Sequence, residues 1–264
     1  MKRKTRIIVL SSILSILAVM IILASTVFLL NKVEVNYLST SHSVLSAEDA
    51  KGIVEAGKFG YGRSNILFTK FDKQIERIEK AYPYAKVEKI ERKFPNSAII
   101  HISERTPAAY VKSGQYVYVV DAELKVLDVV YANEYLNGTA QISENALLVP
   151  EINLLEVPNG TNAGTKIVND KIKTILSAIS EGMAKSGKSM TLLSKISLAY
   201  DDSNALSATF EFDDKEMTLI IKGETNLTRK VQVGVQAYFI NLEEHTTGVV
   251  EQISESNINF VWQA

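Results

Sequence analysis

The 264-residue chain has no cysteine. Disulfides, thiolate metal sites and lipid attachment through a cysteine are excluded, so whatever folds must hold together by burial alone. Histidine is scarce as well. His42, His101 and His245 are scattered, and no two have metal-ligand spacing. His101 falls in a strand-like run, where a surface or core-edge role is the simpler reading. No nucleophile motif frames any Ser or Lys. A cationic excess is also missing. Four of the 29 Lys and Arg precede residue 7, which leaves 25 bases against 30 acids beyond it, with no basic run among them. Nucleic-acid binding draws its affinity from phosphate neutralisation and is disfavoured.

What the chain does have is one long apolar run. Ile7 to Leu30 is 24 residues without a charge, Gly or Pro. At about 1.5 Å per residue such a helix exceeds the roughly 30 Å hydrocarbon core and spans it with modest tilt. Lys2, Arg3, Lys4 and Arg6 precede it, so residues 1–6 are expected to form a cytoplasmic tail, with the bulk of the chain exported. A cleaved signal peptide carries an apolar core of about 7–15 residues and a small-x-small site. This run is longer, and Ala18-Val19-Met20 and Ala24-Ser25-Thr26 match that site poorly. An uncleaved single-pass anchor over 7–30 is the expectation. The roughly 230 residues that follow suffice for two modest domains.

The first of these is the better patterned. Val33–Tyr37 alternates as a strand. Ser46 reads as an N-cap with Asp49 three residues on, opening a helix Ala47–Gly57 that has Ala50, Ile53 and Val54 inside. Gly57 reads as its stop, and Gly57, Gly60 and Gly62 as a flexible connection. Phe71, Ile75, Ile78 and Tyr82 then form one apolar stripe at helical spacing, with Asp72, Lys73, Glu76, Arg77, Glu79 and Lys80 on the wet side. Pro83 blocks continuation. Lys86–Phe94 and Ser97–Ile102 read as strands joined by a tight turn at Pro95-Asn96.

Asn65-Ile66-Leu67, Tyr82-Pro83, Glu91-Arg92-Lys93-Phe94-Pro95-Asn96 and Glu104-Arg105 with Pro107-Ala108, in this order behind a single span, resemble the POTRA domain of the bacterial cell-division family FtsQ, called DivIB in Gram-positive bacteria. More loosely, the resemblance runs over nearly the whole chain. It implies an α+β protein with a POTRA domain (β-α-α-β-β, two helices on one face of a three-stranded sheet) over 32–105. Arg92, Glu104 and Arg105 then hold the POTRA strands and the hinge after them rather than a ligand. A generic α/β module whose Pro and Arg merely shape turns is the plain alternative. A bacterial source also removes any meaning from the glycosylation patterns at Asn137, Asn159 and Asn226.

Residues 106–264 read as a mostly antiparallel β domain with two or three helices. Tyr116–Val120, a turn at Asp121–Leu124, and Lys125–Tyr131 fit the family's Asp, turn and return strand. Asn133–Asn162 is poorly patterned and reads as irregular connection with short extended pieces. Asn169–Lys185 carries Ile172, Ile175, Leu176, Ile179 and Met183 at helical spacing. Ile196–Tyr200, Ala208–Phe212 and Met217–Ile221 alternate as strands, with Asp213-Asp214 at a hairpin turn. Asn226 reads as the cap of a helix through Leu242, and Val249–Val261 as one or two final strands.

One chemical motif demands an answer. Gly182-Met183-Ala184-Lys185-Ser186-Gly187-Lys188-Ser189 matches the phosphate-binding P-loop pattern. That loop works between a buried strand and a helix whose N-terminus faces the phosphates. Here a helix precedes it, and no strand–helix units of a parallel sheet are expected around it. The bland reading is a small-residue connection. Asp201-Asp202 and Asp213-Asp214 read as turn acids rather than paired catalytic carboxylates.

What remains is surface for proteins. Gly248–Trp262 ends the sheet and reads as an edge strand, whose unpaired N–H and C=O groups offer a template for strand addition. The resemblance implies a non-catalytic assembly protein at the division septum, without cofactor, metal or small-molecule substrate. In that family the C-terminal part binds the membrane-anchored proteins FtsB (DivIC in Gram-positive bacteria) and FtsL. Carried onto this chain, the implied contacts are Val249, Val250, Gln252, Ser254, Ile258 and Phe260, with Lys230, Gln236 and Tyr238 on the preceding helix. Ile258, Phe260 and Trp262 read equally well as cover for the core. Two rival functions stay open: a cell-surface module for cell-wall material, and a membrane-anchored P-loop enzyme.

Overall fold

A computed structural model describes residues 3–38, 44–202, 204–212, 216–241, 247–252, 254 and 257–261. The chain divides into two units, Met1–Glu104 and Arg105–Ala264. His42, His245 and the Asp213-Asp214 turn lie outside the described residues.

The first unit opens with helix α1, Arg3–Val27. Within it Val9–Val27 is long and apolar enough to cross a membrane, with a mean hydropathy of 2.4. The helix stops three residues short of the expected Leu30 because the domain claims the rest of the apolar run. Ile66 N–H donates to Phe28 O (2.8 Å), Leu30 N–H to Ser64 O (2.8 Å) and Gly62 N–H to Leu30 O (2.9 Å). Leu30 itself is wholly buried. The apolar helix therefore runs into the domain core with no linker.

Strand β1 (Lys32–Tyr37), helices α2 (Asp49–Gly57) and α3 (Asp72–Ala81), and strands β2 (Ala85–Lys93) and β3 (Ser97–Glu104) follow in the expected order. The sheet runs β1-β3-β2, with β3 central, parallel to β1 and antiparallel to β2. Ile53 of α2 and Ile78 of α3 are buried with Ile100 and Ile102 of β3. Helix α2 starts at Asp49 rather than Ala47. Ser46 does not cap with its oxygen; its N–H and hydroxyl both donate to the Asp49 carboxylate (2.8 and 2.9 Å). The stop is Lys58, left-handed at φ 50°, one residue past Gly57. Gly57 serves packing instead, since a Cβ there would lie 2.3 Å from the Phe59 ring. His101 is a core-edge residue: Nε2 lies 2.9 Å from Glu91 Oε2 and Nδ1 3.1 Å from Asn36 Nδ2, so it joins all three strands. Glu104 accepts from Val44 N–H (3.1 Å) and Leu45 N–H (3.3 Å).

The second unit is a nine-stranded sheet. Its elements are β4 (Pro107–Ser113), β5 (Tyr116–Asp121), β6 (Val126–Tyr131), α4 (Ala132–Leu136), α5 (Glu144–Leu147), β7 (Glu151–Ile152), α6 (Asp170–Lys185), β8 (Leu193–Tyr200), β9 (Leu206–Phe212), β10 (Glu216–Lys222), α7 (Leu227–Asn241), β11 (Thr247–Gln252) and β12 (Ile258–Val261). Across the sheet they lie in the order β12-β11-β10-β9-β8-β7-β4-β5-β6.

Strand β4 and the short helices α4 and α5 were not expected. The antiparallel reading holds for most neighbours, but β4–β7, β7–β8 and β10–β11 are parallel. Parallel neighbours need a long crossover, and the sequence places α6 between β7 and β8 and α7 between β10 and β11. Strand–helix–strand units are thus present after all. The two-residue β7 is lengthened by a side chain: Asn153 Oδ1 accepts from Leu198 N–H (2.6 Å) and its amide donates to Leu198 O (3.0 Å). The core alternates by face along β5. Tyr118 and Val120 join Ile172, Ile175, Ile179 and Val231 of the α6–α7 layer, while Val117 and Val119 face Tyr135 and Ala146 of α4 and α5.

Candidate functional site

Strands β6 and β12 are the two margins of the large sheet. The beginning of β6 is already covered by its own chain. Val126 N–H donates to Thr165 O (2.8 Å), Gly164 N–H to Val126 O (2.8 Å) and Ile167 N–H to Leu124 O (2.9 Å). Strand β12 pairs with β11 on one side only, and no described strand flanks its outer side. It is four residues long, so the pairing it can offer is short.

Strand β11 is an inner strand. β10 occupies one side in parallel and β12 the other in antiparallel register. Val250 and Gln252 are wholly buried, and the Gln252 amide donates to Ser254 O. Glu251 faces the other way and pairs with Lys222 across β10–β11 at 2.5 Å. Helix α7 lies over β10 and β11 and sinks Val231, Val235 and Tyr238 into the core. The Tyr238 ring stacks on Phe212 at 4.1 Å and 18°. Burial pushes its phenol up to about 12. Lys230 is buried by its stem, and its ammonium donates to Lys222 O (2.7 Å) at the end of β10.

These positions correct the expected contact set. Lys230, Tyr238, Val250 and Gln252 are turned into the fold, and no partner reaches their side chains without unfolding it. The reason is topological: the expected edge consists of two strands, and the first is paired on both sides. Gln236 is exposed, and Val249, Ser254 and Ile258 are half-buried. Phe260 belongs to β12 and pairs with Val250, while its side chain lies outside the described residues. The sequence reading missed Ile240, which is 68 % exposed. Its spacing of four from Gln236 was the available signal, because residues four apart share a helix face.

The P-loop pattern has the wrong surroundings. Gly182 lies inside α6, where a Cβ would come within 2.6 Å of Val231 Cβ and 2.7 Å of Thr228 O. Helix α6 then closes at Gly187, φ 76°, with Gly187 N–H on Ala184 O and Lys188 N–H on Met183 O, each at 3.0 Å. This is a Schellman closure, and it puts helix carbonyls, the negative dipole end, where phosphate oxygens would have to sit. Lys188 lies over the Phe239 ring at 3.9 Å. Asp201 is a turn acid: its Oδ1 accepts from Ala205 N–H at 2.9 Å. Among the described residues no three His, Asp or Glu gather as metal ligands. Searches of family models and of curated proteins return no match for the chain.

Proposed function

We propose that this chain is a membrane-anchored assembly protein of the FtsQ/DivIB type, which binds DivIC (FtsB) and FtsL at the division septum by strand addition to β12. The observation that carries the reading is the outer side of β12, at the margin of a nine-stranded sheet, which no described strand flanks. A partner strand laid there gains main-chain hydrogen bonds at once, and pockets for its alternate side chains give specificity. The order β1-α2-α3-β2-β3 directly behind a span supports the POTRA assignment of the first unit. Anchoring keeps partners at high effective concentration, so a short edge strand suffices. The exposed pair Gln236 and Ile240 on α7 offers a second contact face.

The test is co-purification of the full chain with the DivIC and FtsL ectodomains of the same organism. The comparison lacks Asn257 onward. This cut removes β12 but spares β11, whose Val250 and Gln252 belong to the core. Binding lost with β12, while thermal unfolding stays within a few degrees of the intact chain, is the expected result. Binding that survives the deletion, or that the intact chain never shows, refutes the proposal.

A further inference from the structure

Three segments meet where α1 leaves the membrane: Val27–Val33, the loop Gly60–Phe71, and the β2–β3 turn Arg92–Ser97. Their contacts are direct. Leu29 bridges to Asn65, Asn31 N–H donates to Asn96 O at 2.8 Å, and the Phe28 and Phe94 rings meet edge-on at 6.1 Å. The tips of this end are apolar and wet. Phe68 is 80 % exposed, Phe94 61 % and Leu67 37 %.

The loop that carries Phe68 is rigidly held. Asn65 Oδ1 accepts from Leu67 N–H (3.0 Å), and Asn65 O accepts from Phe68 N–H (3.2 Å) and Thr69 N–H (3.0 Å). Arg92 reaches across from β2 and donates from Nε to Ile66 O (2.8 Å) and from Nη2 to Thr69 O (2.9 Å). Ile66 plugs the core beneath. A turn fastened this tightly fixes a phenyl ring in water, where apolar area is unfavourable.

Charge is segregated in the same place. The three segments contain Lys32, Arg63, Lys70, Arg92 and Lys93 and not one acid, although acids outnumber bases beyond the span. Lys32 pairs with Glu34 of β1, Asp72 begins α3, and Glu91, held by His101, precedes Arg92; these are the acids that flank the cluster in sequence. An exposed aromatic tip beside exposed cations, joined without linker to a membrane span, fits one surface: the headgroup layer through which that span passes. Cations there gain from anionic lipids, and aromatic rings settle at the boundary between headgroups and acyl chains.

We propose that this end of the first unit docks on the anionic lipid surface, with Phe68 and Phe94 inserted at the interface and Arg63, Lys70 and Lys93 among the headgroups. This holds whatever partner binds β12.

The cysteine-free sequence makes the test clean. Phe68→Cys, Phe94→Cys and Lys86→Cys variants of the full chain are each labelled with a polarity-sensitive fluorophore. They are reconstituted in nanodiscs of phosphatidylglycerol and phosphatidylethanolamine that carry a shallow nitroxide lipid. Lys86 lies at the other end of β2, roughly 25 Å from the turn at about 3.3 Å per residue. Labels at 68 and 94 are expected to be quenched and blue-shifted, and the label at 86 to be neither. A second set puts the label at Lys70→Cys. There Phe68→Ser with Phe94→Ser is expected to reduce the docked-to-undocked ratio about tenfold or more, since each ring loses apolar burial. Equal quenching at 68, 94 and 86 overturns the proposal. So does an unchanged ratio in the double Ser variant. Shielding that needs an added protein and shows no lipid quenching also overturns it, because the patch would then serve a protein.

Discussion

Neutralising Asp121 should unfold the second unit early and leave the first untouched. Arg105 and Asp121 are 7 % and 5 % exposed, and Arg105 Nη1 lies 2.6 Å from Asp121 Oδ2. The other carboxylate oxygen, Oδ1, accepts from Glu123 N–H (2.9 Å) and Lys125 N–H (2.8 Å), so one side chain fixes both the ion pair and the β5–β6 turn. In Asp121→Asn the turn acceptor is retained, while an amide donor replaces the charge facing the guanidinium. Breaking a buried pair typically costs about 3–5 kcal/mol. Glu123, which lies 3.2 Å from the same Nη1 and is itself part-exposed, recovers some of this and points to the lower end. For a unit of this size about 3 kcal/mol corresponds to a fall of roughly 6–12 °C in Tm.

Differential scanning calorimetry of the full chain in detergent reads this, with a separate transition expected for each of the two units. Arg105→Met should cost less, since Asp121 keeps its two backbone donors. The double variant should be milder than the sum of the singles, because no unpaired buried charge remains. A shift under about 2 °C for Asp121→Asn, or an equal shift in both transitions, refutes the reasoning.

Three further outcomes are expected. Gly182→Ala drives a methyl into Val231 and the Thr228 carbonyl, so it should destabilise by about 1–3 kcal/mol in chemical denaturation. No thermal shift with ATP and magnesium is expected in the parent, and neither this variant nor Lys188→Ala should create one. Tyr238 holds its proton more tightly folded than unfolded. Stability is therefore intact below about pH 10, where the unfolded phenol is still neutral, and is lost as pH rises toward 12, by on the order of 2 kcal/mol. Tyr238→Phe should make that alkaline limb shallower without removing it, since burial also raises the Tyr110 and Tyr135 phenols of the same unit, and an unchanged limb would show that Tyr238 does not contribute.

The first unit was legible because its signals are local. The stripe through Phe71, Ile75 and Ile78, the block at Pro83 and the Pro95-Asn96 turn each act within a few residues. The end of the span was not legible, since Phe28, Leu29 and Leu30 are as apolar as lipid-facing residues. Only their contacts with Ser64 and Ile66 show that a protein core has taken them. In the second unit strand existence was readable and neighbour choice was not. Nothing in Val249–Gln252 states that β10 will lie beside it in parallel, because that depends on α7 crossing over. The buried contacts at Val250 and Gln252 were misjudged for this reason, and Tyr238 because one helix face was read as outward. The P-loop pattern misleads for the complementary reason: its letters are local, while its chemistry needs a helix to follow rather than precede it.

Because α1 ends at Val27 and β1 begins at Lys32, with Leu30 locked in between, α1 is fastened directly to the first unit. In the bilayer a helix is free to rotate about its own axis until a neighbouring helix packs against it. Here such packing would set a compass bearing for everything in the first unit. One residue inserted between Val27 and Phe28 would swing that bearing by about 100°, a turn that no downstream flexibility in this unit could absorb. Spanning a bilayer, α1 would act as a rudder as much as an anchor.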